Sequence, residues 1–202
     1  MQNSLPTKLP VNDEETKQLL AAYGALVEGH FKLASGRHSG HFVKKGQLIQ
    51  YPKQLQDMIN QKVDALRGLG QIDVVLSPAV GGIPVGQQVG LALDARTIYA
   101  ERNANNELEL KRGFEIKPGE RVLMVEDVIT TGGTLEELER FVKANGGEVA
   151  GVFVIVNRSG RDEILGHPAV SCMDIVLSTY AADDLPAELA AIPVERPGTK
   201  RS

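Results

Sequence analysis

Two adjacent carboxylates, Glu126 and Asp127, follow an apolar run and precede a polar loop rich in threonine and glycine. The apolar run predicts a buried strand that ends near Glu126. Beyond the loop, Thr134 and Glu137 have the T-x-x-E spacing of a capping box, which predicts a helix from about Leu135. The loop should therefore wrap a helix N-terminus, where free backbone N–H groups and the helix dipole favour an anion.

The composition of this loop is typical of a phosphate cradle. Glycines let the backbone approach a ligand closely, and threonine hydroxyls can donate hydrogen bonds. A carboxylate pair beside a phosphate needs a polyol or a cation between them, and a ribose diol or Mg²⁺ meets that need. The loop therefore favours a ligand that combines sugar, phosphate and metal, the alternative being a capped helix with solvated polar residues. Its residues are Val128, Ile129, Thr130, Thr131, Gly132, Gly133 and Thr134.

The elements around this loop predict an α/β fold. Continuous apolar strands alternate with helices over residues 71–180, which indicates a mostly parallel sheet with helices on both faces. In such sheets ligands bind at the carboxyl ends of the strands, where the two acids stand. Residues 1–50 do not fit the alternation, and we expect them to form a small N-terminal hood on a single domain of residues 1–202.

Several finer elements can be predicted as well. The hood should contain a polar arm, a helix from about Asp13 to Val27, and two short strands around a Ser-Gly-Arg turn. One further helix is predicted over residues 52–70, with Pro52 in its first turn. Residues 101–110 are polar and predicted to be mobile, and residues 195–202 are expected to be loosely held.

Composition excludes several classes of protein. The net charge of -4 argues against general nucleic-acid binding, and no apolar run approaches the length of a membrane span. The N-terminus lacks the basic start and apolar core of a signal peptide. The single cysteine, Cys172, lies in an apolar run and is expected to be a buried hydrophobe, so nothing points to secretion. We therefore expect a cytoplasmic protein.

Four stretches together resemble one known family. "VLMVEDVITTGGT" is similar to the signature motif of the type I phosphoribosyltransferases, which bind 5-phosphoribosyl pyrophosphate. "GHFKLASGRHSGHFV", "SPAVGGIPVG" and "VIVNRSG" resemble the hood, the pyrophosphate loop and a base-binding strand end of orotate phosphoribosyltransferases. "IPVERPGTK" resembles the tail of a short-loop bacterial branch, so the resemblance extends over the whole chain.

The resemblance implies roles for the sugar-phosphate and base sites. Glu126 and Asp127 would hold the ribose hydroxyls, and Asp127 would contact Mg²⁺ mainly through the substrate. Residues 128–134 would wrap the 5-phosphate. Orotate would be bound by Thr130, by Arg158 as a bidentate carboxylate partner, and by Phe42. A solvated strand-end arginine is the alternative reading of Arg158.

The pyrophosphate side departs from the family pattern. The resemblance assigns the pyrophosphate loop to Ala79, Val80 and Gly81, although many relatives have a lysine in place of Gly81 and another in place of Ala34. It assigns catalytic cations to Arg102 and Lys111, yet no lysine or histidine lies between those two residues. A solvated hairpin is the alternative for Lys111 and Arg112. The hood carries a basic cluster of Lys32, Arg37, Lys44 and Lys45, to which the sequence assigns no specific role.

The implied activity is transfer of ribose 5-phosphate from 5-phosphoribosyl pyrophosphate to orotate. The products would be orotidine 5′-phosphate and pyrophosphate, a step of pyrimidine biosynthesis, with Mg²⁺ as cofactor. The resemblance also implies a homodimer that acts on small molecules and binds neither nucleic acid nor membrane. Two alternatives stay open: a phosphoribosyltransferase for another nucleobase, and a non-catalytic regulator that senses 5-phosphoribosyl pyrophosphate.

Overall fold

A seven-stranded sheet forms the centre of the computed structural model, which describes residues 5–33 and 35–196. The strands are β1 (Leu26–Lys32), β2 (His38–Val43), β3 (Val74–Pro78), β4 (Arg96–Arg102), β5 (Leu108–Leu110), β6 (Arg121–Ile129), β7 (Glu148–Asn157), β8 (Glu163–Ile164), β9 (His167–Asp174) and β10 (Val194–Glu195). The helices are α1 (Asp13–Ala22), α2 (Lys45–Ile49), α3 (Pro52–Asn60), α4 (Val63–Arg67), α5 (Gly82–Leu93), α6 (Gly133–Ala144) and α7 (Ala187–Ala190).

The large sheet has the strand order β5-β4-β3-β6-β7-β9-β8. The five inner strands are parallel to one another, and the short edge strands β5 and β8 are antiparallel to the inner strands beside them. Successive residues of β3 pack into different hydrophobic clusters, Val75 into one and Val74 and Leu76 into the other. Burial on both faces explains the continuous apolar runs, and the predicted mostly parallel α/β sheet is confirmed.

The N-terminal hood is a separate three-stranded sheet with the order β10-β1-β2. β1 and β2 are antiparallel, whereas β10 from the C-terminal region runs parallel to β1. A hydrogen bond of 2.6 Å joins the side chains of His30 and His38, and His30 also contacts the Ile192 carbonyl at 2.9 Å. The hood therefore includes residues from both ends of the chain.

Two predicted helices in the first third of the chain are too long. The first ends at Ala22 rather than Val27, because Gly24 has a φ of 64° and the following residues enter β1. The second is divided into α3 and α4 by a turn at residues 61–62. Leu55, Ile59 and Leu66 of its predicted stripe are nevertheless buried.

The predicted boundaries around the acidic pair are also wrong. β6 continues three residues beyond Glu126, to Ile129. α6 begins at Gly133, and its N-cap, Gly132, has a φ of 97° and no side chain with which to cap the helix. The expected capping box does not form, because the helix begins before Thr134, and Glu137 is paired with Arg102 at 2.7 Å.

Two short strands lie in segments predicted to be irregular. β5 forms within residues 101–110, paired with β4, and β10 includes Glu195 of the predicted loose tail. Residues 197–202 lie outside the described part of the chain. Cys172 is buried as expected, and burial raises the pKa of its thiol to about 12. Within residues 5–33 and 35–196, we find no helix that is long and apolar enough to cross a membrane.

Candidate active site

The two carboxylates of the predicted motif are part of β6 and are almost completely buried. Side chains alternate between the faces of a strand, so Glu126 lies on the same face as Met124, and Asp127 lies on the opposite face. Glu126 is 8% exposed and Asp127 is 1% exposed. The two remain close, because the Asp127 backbone N–H donates to Glu126 Oε1 at 3.1 Å.

Asp127 is paired with a lysine from the hood. Lys45 Nζ donates to Asp127 Oδ1 at 2.9 Å and lies 2.7 Å from Oδ2. The Val128 backbone N–H also donates to Oδ1, at 2.7 Å. Oδ2 is buried and accepts no hydrogen bond of acceptable geometry within the described structure, but the Lys45 ammonium lies against it, so the ion pair occupies both oxygens of this carboxylate in the empty site.

Glu126 has a different electrostatic environment. Burial is the largest cause that raises its pKa, and repulsion by the Asp127 carboxylate is the next, so that its pKa reaches about 8. At neutral pH most Glu126 carboxyls therefore carry a proton in the unliganded protein. The adjacent acids thus differ: one is ion-paired, and the other is a neutral group that can donate a hydrogen bond.

The predicted phosphate cradle forms a cavity of about 310 Å³. All seven residues of the predicted loop line this cavity. The first two, Val128 and Ile129, belong to β6 rather than to a loop. Because α6 begins at Gly133, the cavity lies at the N-terminus of a twelve-residue helix. This arrangement suits an anion, since the first backbone N–H groups of a helix have no partner within the helix.

A second cavity, of about 580 Å³, adjoins the first, because Glu126 and Thr134 line both. The predicted pyrophosphate loop lines it, together with Lys45 and Arg102. The Ala79–Val80 peptide bond in that loop is cis. Arg102 donates to the Asn106 carbonyl at 2.6 Å in addition to its ion pair with Glu137.

Gly81 lies directly against the Asp127–Lys45 pair. A Cβ atom at this position would collide with Asp127 Oδ2 and would lie 3.3 Å from Lys45 Nζ. Only glycine leaves room for the ion pair, which gives a physical reason for the absence of a larger residue here.

Asp127 and three other predicted site residues lie outside the linings of both cavities. Arg158 follows β7, and its backbone N–H donates to the Ile129 carbonyl at 2.9 Å, which brings it to the end of β6. Its buried Nε has no hydrogen-bond partner among the described residues, and burial lowers the pKa of the guanidinium. Phe42 packs on Phe31 at a centroid distance of 5.7 Å, and Lys111 lies 3.9 Å from Glu109. The roles given to these three residues stay predictions.

Lys45 is the site residue that sequence reasoning missed. It was recognisable only as one member of a basic cluster in the hood, without a specific role. Its partner is 82 residues further along the chain. Position 34, where a family lysine is replaced by alanine, lies outside the described residues.

Residues 49–186 match the phosphoribosyl transferase domain family. The chain belongs to the phosphoribosyltransferase family. It is 42% identical over 194 residues to the orotate phosphoribosyltransferase of Erythrobacter litoralis strain HTCC2594, covering 94% of this chain and 99% of that protein. It is 40% identical over 190 residues to the orotate phosphoribosyltransferase of Chlorobaculum parvum strain DSM 263 / NCIMB 8327, covering 94% and 97%.

Solved phosphoribosyltransferases have the same fold. The crystal structure of orotate phosphoribosyltransferase from Aeropyrum pernix matches with a TM-score of 0.66 and 25% identity, covering 78% of this chain and 92% of that one. The predicted family membership is therefore confirmed. The cradle, the acidic pair and the glycine loop of this phosphoribosyltransferase meet at the carboxyl ends of β3 and β6, as expected for a doubly wound sheet.

Proposed function

We propose that the protein is an orotate phosphoribosyltransferase. It would transfer ribose 5-phosphate from 5-phosphoribosyl pyrophosphate to N1 of orotate, releasing pyrophosphate and forming orotidine 5′-phosphate in pyrimidine biosynthesis. The observation that carries the proposal is the extent of the similarity. Relatives named orotate phosphoribosyltransferase align with 94% of the chain at about 40% identity, whereas the family match begins only at residue 49.

The two adjoining cavities suit the two ends of the activated sugar. In the proposal, the 5-phosphate binds in the cradle at the N-terminus of α6, where backbone N–H groups and the hydroxyls of Thr130, Thr131 and Thr134 can donate to it. The pyrophosphate binds in the larger cavity, beside Gly81 and Arg102. The ribose then lies between them, next to Glu126, which lines both cavities.

The chemistry requires little from the protein beyond positioning and charge. The C1–O bond to pyrophosphate breaks and a C1–N1 bond to orotate forms, and the N1 proton is released to solvent. Positive charge develops on the ribose, and negative charge collects on the leaving group. In this mechanism, Asp127 favours the developing cation, and Arg102 and Lys111 favour the pyrophosphate. A protonated Glu126 donates to a ribose hydroxyl without repelling the phosphates.

Recognition of orotate is assigned to Arg158, Thr130 and Phe42. The support for Arg158 is its buried Nε, which has no partner among residues 5–33 and 35–196. An unpartnered buried donor is costly, and a carboxylate can satisfy a guanidinium bidentately. Neutral bases have no carboxylate, so this feature favours orotate over the other nucleobases.

We also propose that Mg²⁺ is required. Among the described residues, no three acidic, histidine or cysteine side chains form a group that could hold a metal by themselves. Oδ2 of Asp127 is the donor that fits such an ion once the Lys45 ammonium, 2.7 Å away in the empty site, has left it, with the remaining ligands coming from substrate oxygens and water. When bound, Mg²⁺ would neutralise charge on the pyrophosphate.

We further propose a cytoplasmic homodimer. The resemblance to dimeric relatives supports the dimer, and so do three exposed apolar side chains near the hood and the C-terminal region. Val176 is 65% exposed, Ile192 is 44% exposed and Val194 is 52% exposed. The single free and buried cysteine is consistent with a reducing, cytoplasmic location. Sedimentation equilibrium would distinguish a dimer from a monomer.

The test of function is a spectroscopic assay with purified protein, 5-phosphoribosyl pyrophosphate, Mg²⁺ and orotate. Loss of orotate absorbance that depends on the protein and the metal is the expected result. Uracil, xanthine and hypoxanthine replace orotate in parallel reactions. Turnover with one of these bases, but not with orotate, would refute the role of Arg158. Binding of 5-phosphoribosyl pyrophosphate without turnover of any base would favour a sensor over an enzyme.

A further inference from the structure

The larger cavity has few cations for a highly charged anion. Of the described residues that line it, Lys45 and Arg102 are the cationic ones. Arg102 is held by Glu137 at 2.7 Å and by the Asn106 carbonyl at 2.6 Å. Among the described residues, the Lys45 ammonium donates a hydrogen bond only to Asp127. Each cation is thus neutralised by a carboxylate when the site is empty.

We propose that Lys45 is a ligand of the pyrophosphate group of the bound substrate. In binding, its ammonium leaves the Asp127 carboxylate for a pyrophosphate oxygen, and Asp127 becomes free for the ribose hydroxyls. The inference rests on the proposed function only so far as the protein binds 5-phosphoribosyl pyrophosphate.

The position of the ammonium supports this exchange. Lys45 Nζ lies 3.3 Å from where a Cβ of Gly81 would stand, so it already touches the glycine loop. Gly81 is the N-cap of the twelve-residue helix α5 and has no side chain with which to cap it. The Ile83 N–H donates to the Val80 carbonyl at 3.3 Å, and Pro84 has no N–H. Gly82 therefore supplies the N–H of this first turn that remains for a ligand. A pyrophosphate at this point would meet both the positive end of a helix and an ammonium group.

The lysine side chain can move, whereas its partner cannot. The Lys45 side chain is 53% exposed, and the Asp127 side chain is 1% exposed. Gly46, next to Lys45, has nothing within 4 Å of a Cβ position, so the start of α2 is loosely surrounded. A long exposed stem allows a short swing of the ammonium from the carboxylate to an anion in the adjoining cavity.

The exchange also explains how a buried aspartate can accept hydrogen bonds from the ribose hydroxyls. Without a cation, a buried carboxylate carries a large desolvation cost. Lys45 neutralises Asp127 in the empty site, and the substrate would replace that interaction with hydroxyl groups, or with a metal ion, at the moment the lysine leaves.

Calorimetric titrations of two ligands in the presence of Mg²⁺ test the proposal. 5-Phosphoribosyl pyrophosphate carries the pyrophosphate, and ribose 5-phosphate lacks it. Lys45→Ala should weaken binding of the first by about 10- to 100-fold, the usual effect of removing a hydrogen bond between charged groups. Binding of ribose 5-phosphate should change by less than about threefold. Lys44→Ala, an equal charge change at the exposed neighbour, should leave both affinities unchanged.

A second background separates the pyrophosphate role from a purely structural one. In an Asp127→Asn protein, Lys45→Ala should still weaken the binding of 5-phosphoribosyl pyrophosphate by about 10-fold or more. Loss of the effect in that background would overturn the proposal, because Lys45 would then act only through Asp127. Equal weakening of both ligands by Lys45→Ala would overturn it too. Lys45→Arg, which keeps the charge, should restore most of the affinity, and thermal melts verify that each variant folds.

These titrations give results that are independent of the base transferred. A wild-type protein that binds 5-phosphoribosyl pyrophosphate but turns over no base would refute the proposed function, while the affinities still decide the role of Lys45. A wild-type protein that does not bind 5-phosphoribosyl pyrophosphate would refute both.

Discussion

Replacing Glu126 by glutamine should make the protein more stable than the wild type, by an amount that grows with pH. The cause is the buried position of this carboxyl in β6, which together with the Asp127 carboxylate raises its pKa from 4.5 to about 8. Between those two values the native protein binds the Glu126 proton more tightly than the unfolded chain does. The free energy of unfolding of the wild type therefore falls as pH rises through this window.

The magnitude follows from the two pKa values. Each pH unit inside the window lowers the free energy of unfolding of the wild type by up to about 1.4 kcal/mol, because the native protein keeps a proton that the unfolded chain releases. Between pH 5 and pH 7 the accumulated difference is about 2.5 kcal/mol. Glutamine has no proton to lose, and its carbonyl oxygen can still accept the Asp127 backbone N–H that Glu126 Oε1 accepts at 3.1 Å.

Urea unfolding at pH 5, 6 and 7 provides the measurement. The free energy of unfolding of Glu126→Gln minus that of the wild type should rise steadily over the three pH values. Glu136→Gln makes the same chemical change at an exposed position of α6 and should show no such rise. A difference between Glu126→Gln and the wild type that does not depend on pH would refute the electrostatic description of this site.

Four further outcomes are expected. Asp127→Asn should lower turnover by about 100-fold or more while the protein stays folded, and a near-normal rate would contradict a role in transfer. Gly81→Ala should weaken 5-phosphoribosyl pyrophosphate binding, because its Cβ would collide with Asp127 Oδ2, whereas Gly40→Ala, with only one atom near its Cβ, at 3.9 Å, should not. Arg158→Met should raise the KM for orotate by about 10-fold or more with little change in the KM for 5-phosphoribosyl pyrophosphate, and equal changes in both would count against a carboxylate partner. Acidification through pH 6 should destabilise the hood. Burial and the neighbouring His30 lower the pKa of His38, so the folded protein favours the neutral form of this side chain. A His38→Gln protein should therefore lose less stability than the wild type on acidification.

The sheet could be predicted from sequence because its inner strands are buried on both faces. An apolar run such as that of β6 has few other interpretations when helices follow it, and the phosphate cradle depends only on residues close together in the chain. Helix ends were harder to predict. α1 is ended by the backbone conformation at Gly24, and the α3–α4 break lies within a sequence whose apolar spacing continues through it.

The boundary of β6 was wrong for a tertiary reason. Charged residues usually mark the end of a buried strand, but Glu126 and Asp127 are tolerated inside one because each has a specific compensation. A proton compensates the first, and Lys45 compensates the second. The capping box was wrong because the helix begins before Thr134, and Glu137 pairs with Arg102 from a distant strand. Such partners are set by the fold and leave no local signal.

The alternation of side chains along β6 explains why two neighbouring acids can have different functions. Glu126 lines both cavities, whereas Asp127, on the opposite face of the strand, lies against Gly81 and pairs with Lys45. Had both acids been ionised on one face, the site would repel a substrate that carries a phosphate and a pyrophosphate. With one acid protonated and the other ion-paired, the empty site is close to neutral, and negative charge at the ribose becomes available only when the lysine moves to the pyrophosphate. The strand geometry thus couples binding of the leaving group to stabilisation of the charge that its departure creates.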